Sequence, residues 1–266
     1  MRNFVTALLA MLLTLLCSDC LAENVDVQQL MQRSDASVKV LTARSELTMI
    51  LSNADGEQRV RKLLGYTQLQ ADGVNNKRLL RFLAPADIKD TVTLLLEHSS
   101  GDDDMWIYLP ALKKTRRLVS DNKRDSFVGS DLTFGDLLGH KPTDWKSTLL
   151  REESLNGQSV YVIESLPKDE AIKNQTGYSK RILWVDKNNF IPLKSEYWDD
   201  TGQFLKTIQV SDVRLVDVDH SKWQFMQLQA ENKQNGHKTL SHFDDYQANL
   251  NLPDTLFTSH SLEQDQ

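Results

Sequence analysis

The chain has 266 residues, with 31 Lys and Arg against 37 Asp and Glu, and a formal net charge of −6. That balance lacks the basic excess that neutralises phosphate backbones, so nucleic acid is not an expected partner. The two cysteines are Cys17 and Cys20, so disulfides, thiolate nucleophiles and cysteine-ligated metals are excluded from the rest of the sequence.

Residues 1–22 read as a cleaved secretory leader. Arg2 is a short positive region, residues 4–16 form an apolar run, and Cys20-Leu21-Ala22 supplies small residues before a cut after Ala22. The run is too short for a stable membrane span. Leu16 and Asp19 precede the two cysteines where a lipidation signal needs a small residue, which argues against a lipid anchor. The expected product is one domain, residues 23–266, exported to the periplasm and held together by its core alone. It contains no further apolar run near 18 residues and is expected to be soluble.

After the leader, Val27, Leu30, Met31 and Ser34 recur at helical spacing, which predicts a short amphipathic helix over 27–40. Turn signals then repeat at short intervals, at 52–57, 70–76, 99–104, 155–158, 186–189, 199–203 and 233–238. Between them lie apolar or alternating runs at 44–51, 58–69, 92–98, 159–165, 181–185, 193–197, 204–216 and 223–231. About ten strands joined mostly by hairpins imply a mainly β (α+β) chain built on a large antiparallel meander that curls into an open or closed barrel. Residues 125–145 fit neither strand nor simple turn and are expected to be a loop plus helix covering one barrel mouth.

The stretch MWIYLPALKKTRRL (105–118) joins an aromatic strand to a basic cluster. Met105, Ile107 and Leu109 alternate with Trp106 and Tyr108, so both faces of the strand are apolar. Either both sides are simply covered, or one lines an interior cavity. Lys113, Lys114, Arg116 and Arg117 then have three open readings: a solvated strand edge that discourages pairing, a contact for anionic lipid headgroups, or a docking patch for an acidic partner.

Catalytic chemistry is harder to find. The six histidines are scattered, and His237 and His242 match no zinc-ligand spacing. No nucleophile elbow or phosphate-binding loop occurs. Ser130 or Asp131 reads as the cap of a following helix, and Asp102–Asp104 and Asp199-Asp200 read as solvated hairpin tips. A binding module is expected rather than an enzyme, and no cofactor is implied. An enzyme acting on envelope lipids or glycans through Asp131 or Asp136 is the third reading.

Taken in order, MWIYLPALKKTRRL and FVGSDLTFGDLLG (127–139) resemble the LolA-like outer-membrane lipoprotein-sorting proteins, and their longer relatives linked to transporters of the RND/MMPL type. The family pattern is met by Trp106, Tyr108, Leu109 and Pro110, by Lys113, Arg116 and Arg117, and by Phe127, Gly129, Ser130, Asp131, Thr133, Asp136 and Leu137. The resemblance implies an unclosed antiparallel β-barrel around helices that fill its concave side, with an apolar cavity sheltering acyl chains. It supplies no catalytic residues. On it, Trp106 and Tyr108 are expected to wall the cavity, and Phe127, Leu132, Phe134, Leu137 and Leu138 to form an adjustable cover flexing at Gly129, Gly135 and Gly139.

The energetics call for such a cover. Burying acyl chain gains roughly 0.8 kcal/mol per CH₂, so three fully sheltered long chains would exceed the observed affinity ceiling of about 18–21 kcal/mol. Two functions follow: a periplasmic carrier of lipoprotein acyl chains or other lipids, or an accessory subunit of an RND/MMPL-type exporter that docks through Lys113–Arg117 and carries no lipid of its own.

Overall fold

The computed structural model describes residues 25–263. The leader expected over 1–22, with its cleavage site, lies outside them. The chain opens with helix α1 (Val27–Ser37), whose N-terminus is capped by Asp26 accepting from the Gln29 amide at 3.1 Å. The helix ends three residues short of the expected Val40. Its buried side chains Leu30 and Met31 pack on Ile163, Leu183 and Val185, which at about 1.5–3 kcal/mol per large apolar side chain fixes it to the sheet.

Among the described residues thirteen strands follow. The first six are β1 (Thr42–Ser52), β2 (Gln58–Leu69), β3 (Asn76–Ala84), β4 (Val92–Leu96), β5 (Asp104–Leu109) and β6 (Lys114–Leu118). After the helix α2 (Phe134–Leu138) come β7 (Trp145–Leu155) and β8 (Gln158–Pro167), then the helix α3 (Glu170–Thr176). The remainder are β9 (Tyr178–Asp186), β10 (Pro192–Asp199), β11 (Phe204–Asp217), β12 (Lys222–Asn232) and β13 (Lys238–Ala248). All pair antiparallel in one curved sheet of order β6-β5-β4-β3-β2-β1-β13-β12-β11-β10-β9-β8-β7, so the barrel does not close.

This order fixes the role of one segment. β6 and β7 are consecutive in sequence yet form the two opposite edges of the sheet. Residues 119–144 must therefore travel from one edge to the other, and they do so across the inner face. Phe127, Phe134 and Leu138 pack with Met49, Leu63, Phe82, Leu95 and Met105 of β1–β5. Leu132 and Leu137 pack with Trp145, Tyr178, Tyr197 and Ile208 on the other half. The cover expected over 125–145 is thus an internal plug touching both halves of the sheet.

Four strands escaped recognition or were left open, for identifiable reasons. β3 carries Lys77, Arg78 and Arg81, which break an apolar run. β7 is an edge strand with mostly polar, exposed side chains. β13 shifts register between Glu46/Asp245 and Leu47/Phe243, leaving Asp244 as an extra residue that interrupts the alternation. β6 holds the basic cluster, and it is an edge strand, as the first reading of those cations required.

Pro110 ends β5 as expected: Pro110–Leu112 forms a 3₁₀ turn and Lys113 adopts the left-handed conformation, φ 48°, that starts β6. The two-faced character of β5 also has an explanation. Met105 faces the plug, while Trp106 and Tyr108 face outward with Leu79, Leu94 and Val92. There they lie under Leu256, Phe257 and Leu262 of the C-terminal 3₁₀ turns Asp254–Phe257 and His260–Glu263. Both faces are covered, by two different segments.

Candidate functional site: an inner cavity with a charged end

A cavity of about 410 Å³ lies between the plug, α1 and the inner face of the sheet. That is within the size range of small-molecule sites. Its apolar walls come from Leu47, Met49 and Leu80 on β1–β3, from Leu228 and Phe243 on β12 and β13, and from Met31 on α1. Gly65 on β2 widens it, since a Cβ there would stand 2.9 Å from Ser45 Oγ and 3.2 Å from Leu80 Cδ2.

The sequence-derived residues divide three ways. Phe127, Leu132, Leu137 and Leu138 line the cavity from the plug. Phe134 stands behind them, edge-on to Phe127 with ring centroids 5.6 Å apart. Trp106 and Tyr108 were expected at the wall, but strand alternation turns them to the outer face against the C-terminal turns. The inward residue at this point is Met105.

The plug is shaped by its own caps. Thr133 Oγ1 accepts from the Asp136 amide at 3.0 Å, and the Asp136 carboxylate accepts from the Thr133 amide at 2.8 Å. This capping box starts α2, and it replaces the expected cap by Ser130 or Asp131. Ser130 instead donates its hydroxyl to the Phe127 carbonyl, and Asp131 accepts from Thr239 and lies 2.7 Å from His237 Nδ1. In that trio the carboxylate sits between the hydroxyl and the imidazole, so the histidine is not placed to take a proton from Thr239. Gly135 is not a hinge: a Cβ there would meet the Lys123 carbonyl at 3.1 Å, so glycine allows the chain to approach itself. Gly129 and Gly139 do adopt positive φ, 76° and 85°.

One end of the cavity is polar. Asp136 pairs with Lys206 Nζ at 2.5 Å, accepts from the Tyr178 hydroxyl at 3.1 Å and meets His140 Nε2 at 3.2 Å. Burial acts to raise its pKa, but the Lys206 charge and the His140 contact together hold the carboxyl well below the usual carboxylate range. Burial depresses His140, outweighing the Asp136 contact, so its imidazole is neutral at pH 7. Arg181 on β9 lies 3% exposed beside this group, its guanidinium 4.1 Å from the centroid of the Trp145 ring.

Two further contacts hold the plug. Arg78 donates to the Leu137 and Leu138 carbonyls at 2.7 and 3.1 Å while pairing with Glu97 at 2.5 Å. Asp103 was expected to be a solvated turn residue. It is buried, and pairs with Lys123 and Lys141, both at 2.8 Å, one on either side of the plug helix. Burial opposes its ionisation, yet the two lysines keep its pKa below the ordinary value.

Residues 74–264 match a sequence family described only as an uncharacterized protein. A comparison with curated proteins finds no match. Among solved structures, a putative outer membrane lipoprotein-sorting protein domain from Vibrio parahaemolyticus is 30% identical, with a TM-score of 0.82, over 89% of this chain and 98% of that one. The chain belongs to the LolA-like outer-membrane lipoprotein-sorting family. A DUF1329 family protein from Desulfovibrio piger is similar at 28% identity and a TM-score of 0.81, covering 88% of this chain and 97% of its own. A LolA superfamily protein from Nitrosomonas europaea shares the fold at 20% identity and a TM-score of 0.66, over 88% of this chain and 98% of that one.

In this LolA-like chain the basic cluster is not one unit. Arg117 pairs with Asp104 and lies 5.8 Å from the Trp106 ring centroid. Among the described residues no carboxylate lies within ion-pair distance of Lys113, Lys114 or Arg116. The polar end of the LolA-like cavity was missed from sequence because Lys206, Arg181, Tyr178 and Tyr197 are scattered over three strands. Only the T-x-x-D spacing of Thr133 and Asp136 carried a local signal, and it identifies a cap rather than a site.

Proposed function

We propose that this LolA-like protein is a periplasmic carrier that shelters acyl chains of lipoproteins or other lipids in the inner cavity for transport toward the outer membrane. The cavity between plug and sheet carries this reading: its walls are chiefly apolar, and its cover is a single crossing segment packed against both halves of the sheet. A chain inserted between Leu47, Leu228 and Leu137 would gain roughly 0.8 kcal/mol per CH₂ removed from water. Release requires that part of this gain be offset, and rearrangement of the plug, held by Arg78, Asp103 and Lys206, supplies the opposing cost. Purified protein would be extracted with organic solvent and the extract examined by mass spectrometry. Co-purifying acylated species support the carrier; a lipid-free extract together with no uptake by the delipidated protein would remove it.

A second reading, an accessory subunit of an RND/MMPL-type exporter, draws on Lys113, Lys114 and Arg116 along the open edge β6. Reversal of these three to Glu would abolish association with such a transporter in a pull-down. Unchanged association would remove the patch from that role.

A further inference from the structure

Among the described residues, the charges that line the cavity are paired, with one exception. Asp35 meets Lys39 at 2.6 Å, Arg78 meets Glu97 at 2.5 Å, and Asp136 meets Lys206 at 2.5 Å. Arg181 also lines the cavity, and among the described residues no carboxylate lies within 4.0 Å of it. Among the described residues its Nε–H meets no acceptor, although the atom is fully buried. The nearest acidic group, Asp136, is already committed to Lys206, and its remaining oxygen capacity is taken by Tyr178, His140 and the Thr133 amide.

A buried cation without a counter-ion is expensive, and a protein ordinarily pairs it or neutralises it. Here it is not neutralised: burial lowers the Arg181 pKa, but only to about 10, so the side chain stays charged at neutral pH. Trp145 and Tyr197 offer a ring face and a hydroxyl, neither of which cancels the charge. The cavity thus has apolar walls and one surplus positive charge at its polar end. A ligand that matches both features is an amphiphile with an anionic head.

We infer that Arg181 is a binding residue for the oxyanion head of an acylated ligand, with the acyl chain lying along Leu47, Leu80 and Leu228 and the guanidinium taking the head through its remaining N–H groups. The planar guanidinium suits carboxylate and phosphate alike, because both present two oxygens at matching separation. The inference rests on the carrier reading and narrows it: the cargo is an acyl chain bearing a carboxylate or a phosphate, rather than any apolar chain.

The test uses the delipidated full-length mature protein and displacement of a fluorescent acyl probe by four competitors: palmitate, methyl palmitate, lysophosphatidylglycerol and monopalmitoylglycerol. The expected result is that the anionic member of at least one pair binds about tenfold or more tightly than its neutral partner, the size of one charge-assisted contact. Preference in the first pair only identifies a carboxylate, in the second only a phosphate, and in both a general oxyanion site. The Arg181→Met variant is expected to bind anionic and neutral ligands equally, and Arg181→Lys to keep a reduced preference. Equal binding of charged and neutral competitors by the unaltered protein overturns this inference while leaving the carrier intact. Undiminished preference in Arg181→Met also overturns it. Binding of none of the four overturns the carrier reading itself. Since the ester comparison needs no variant, failure of Arg181→Met to fold leaves the test decisive.

Discussion

Asp136 on the plug helix and Lys206 on β11 form an ion pair of 2.5 Å whose side chains are 6% and 3% exposed. It is one of the contacts that hold the covering segment to the half of the sheet farthest from Arg78. Removing one partner leaves the other charged and buried, which typically costs about 3–5 kcal/mol. Asp136→Asn and Lys206→Met are each expected to fall in that range by urea denaturation, and the double variant Asp136→Asn/Lys206→Met to cost less than the sum of singles. Additive losses would show that the two do not act as a pair.

Acid should loosen the same region in two stages. His140 and Asp136 both have folded pKa values below their ordinary 6.5 and 3.8, so the unfolded chain binds more protons as pH falls. Their contribution is complete above 6.5, begins to be lost below it through His140, and is lost further below 3.8 through Asp136. Stability measured against pH should therefore decline from near neutrality downward. His140→Gln should flatten the first stage and leave the second. A profile unchanged by that substitution would exclude His140 as its cause.

The outer face is predicted to matter for stability alone. Phe257 is 4% exposed over Leu79, Leu94 and Trp106. Phe257→Ala is expected to cost about 3–5 kcal/mol while leaving acyl uptake by the folded protein unaltered. Weakened uptake at full folding would return Trp106 and Tyr108 to the binding site.

The sequence made the architecture readable where side chains alternate cleanly and turns carry Gly or Asn, as at Gln58–Leu69 and Phe204–Asp217. It failed where an inward position is charged. Arg78 looks like a surface residue in the string NKRLLRFLA, yet it faces the cavity because Glu97 and two helix carbonyls receive it. The same blindness hid Lys206, Arg181 and Asp103. Polarity in a sequence says only that a partner is needed, and the partners here are 19 residues away for Arg78 and 70 for Lys206. Trp106 and Tyr108 failed differently: alternation showed two apolar faces but not which segment covers each.

Arg78 offers a way to loosen the plug without altering the apolar walls of the cavity. Arg78→Met should free the last carbonyls of α2, leave Glu97 buried without its partner, and speed limited proteolysis within 119–144. Cleavage at the unaltered rate would mean that this contact does not restrain the segment.

Whether the inner cavity holds an acyl chain is decided by calorimetric titration of palmitate into the delipidated protein, comparing the unaltered chain with Leu228→Trp, which fills the cavity from β12. Saturable binding with a negative heat-capacity change is expected in the first and its loss in the second, with folding retained. Absent binding in the unaltered protein, or equal binding in the filled variant, would contradict it.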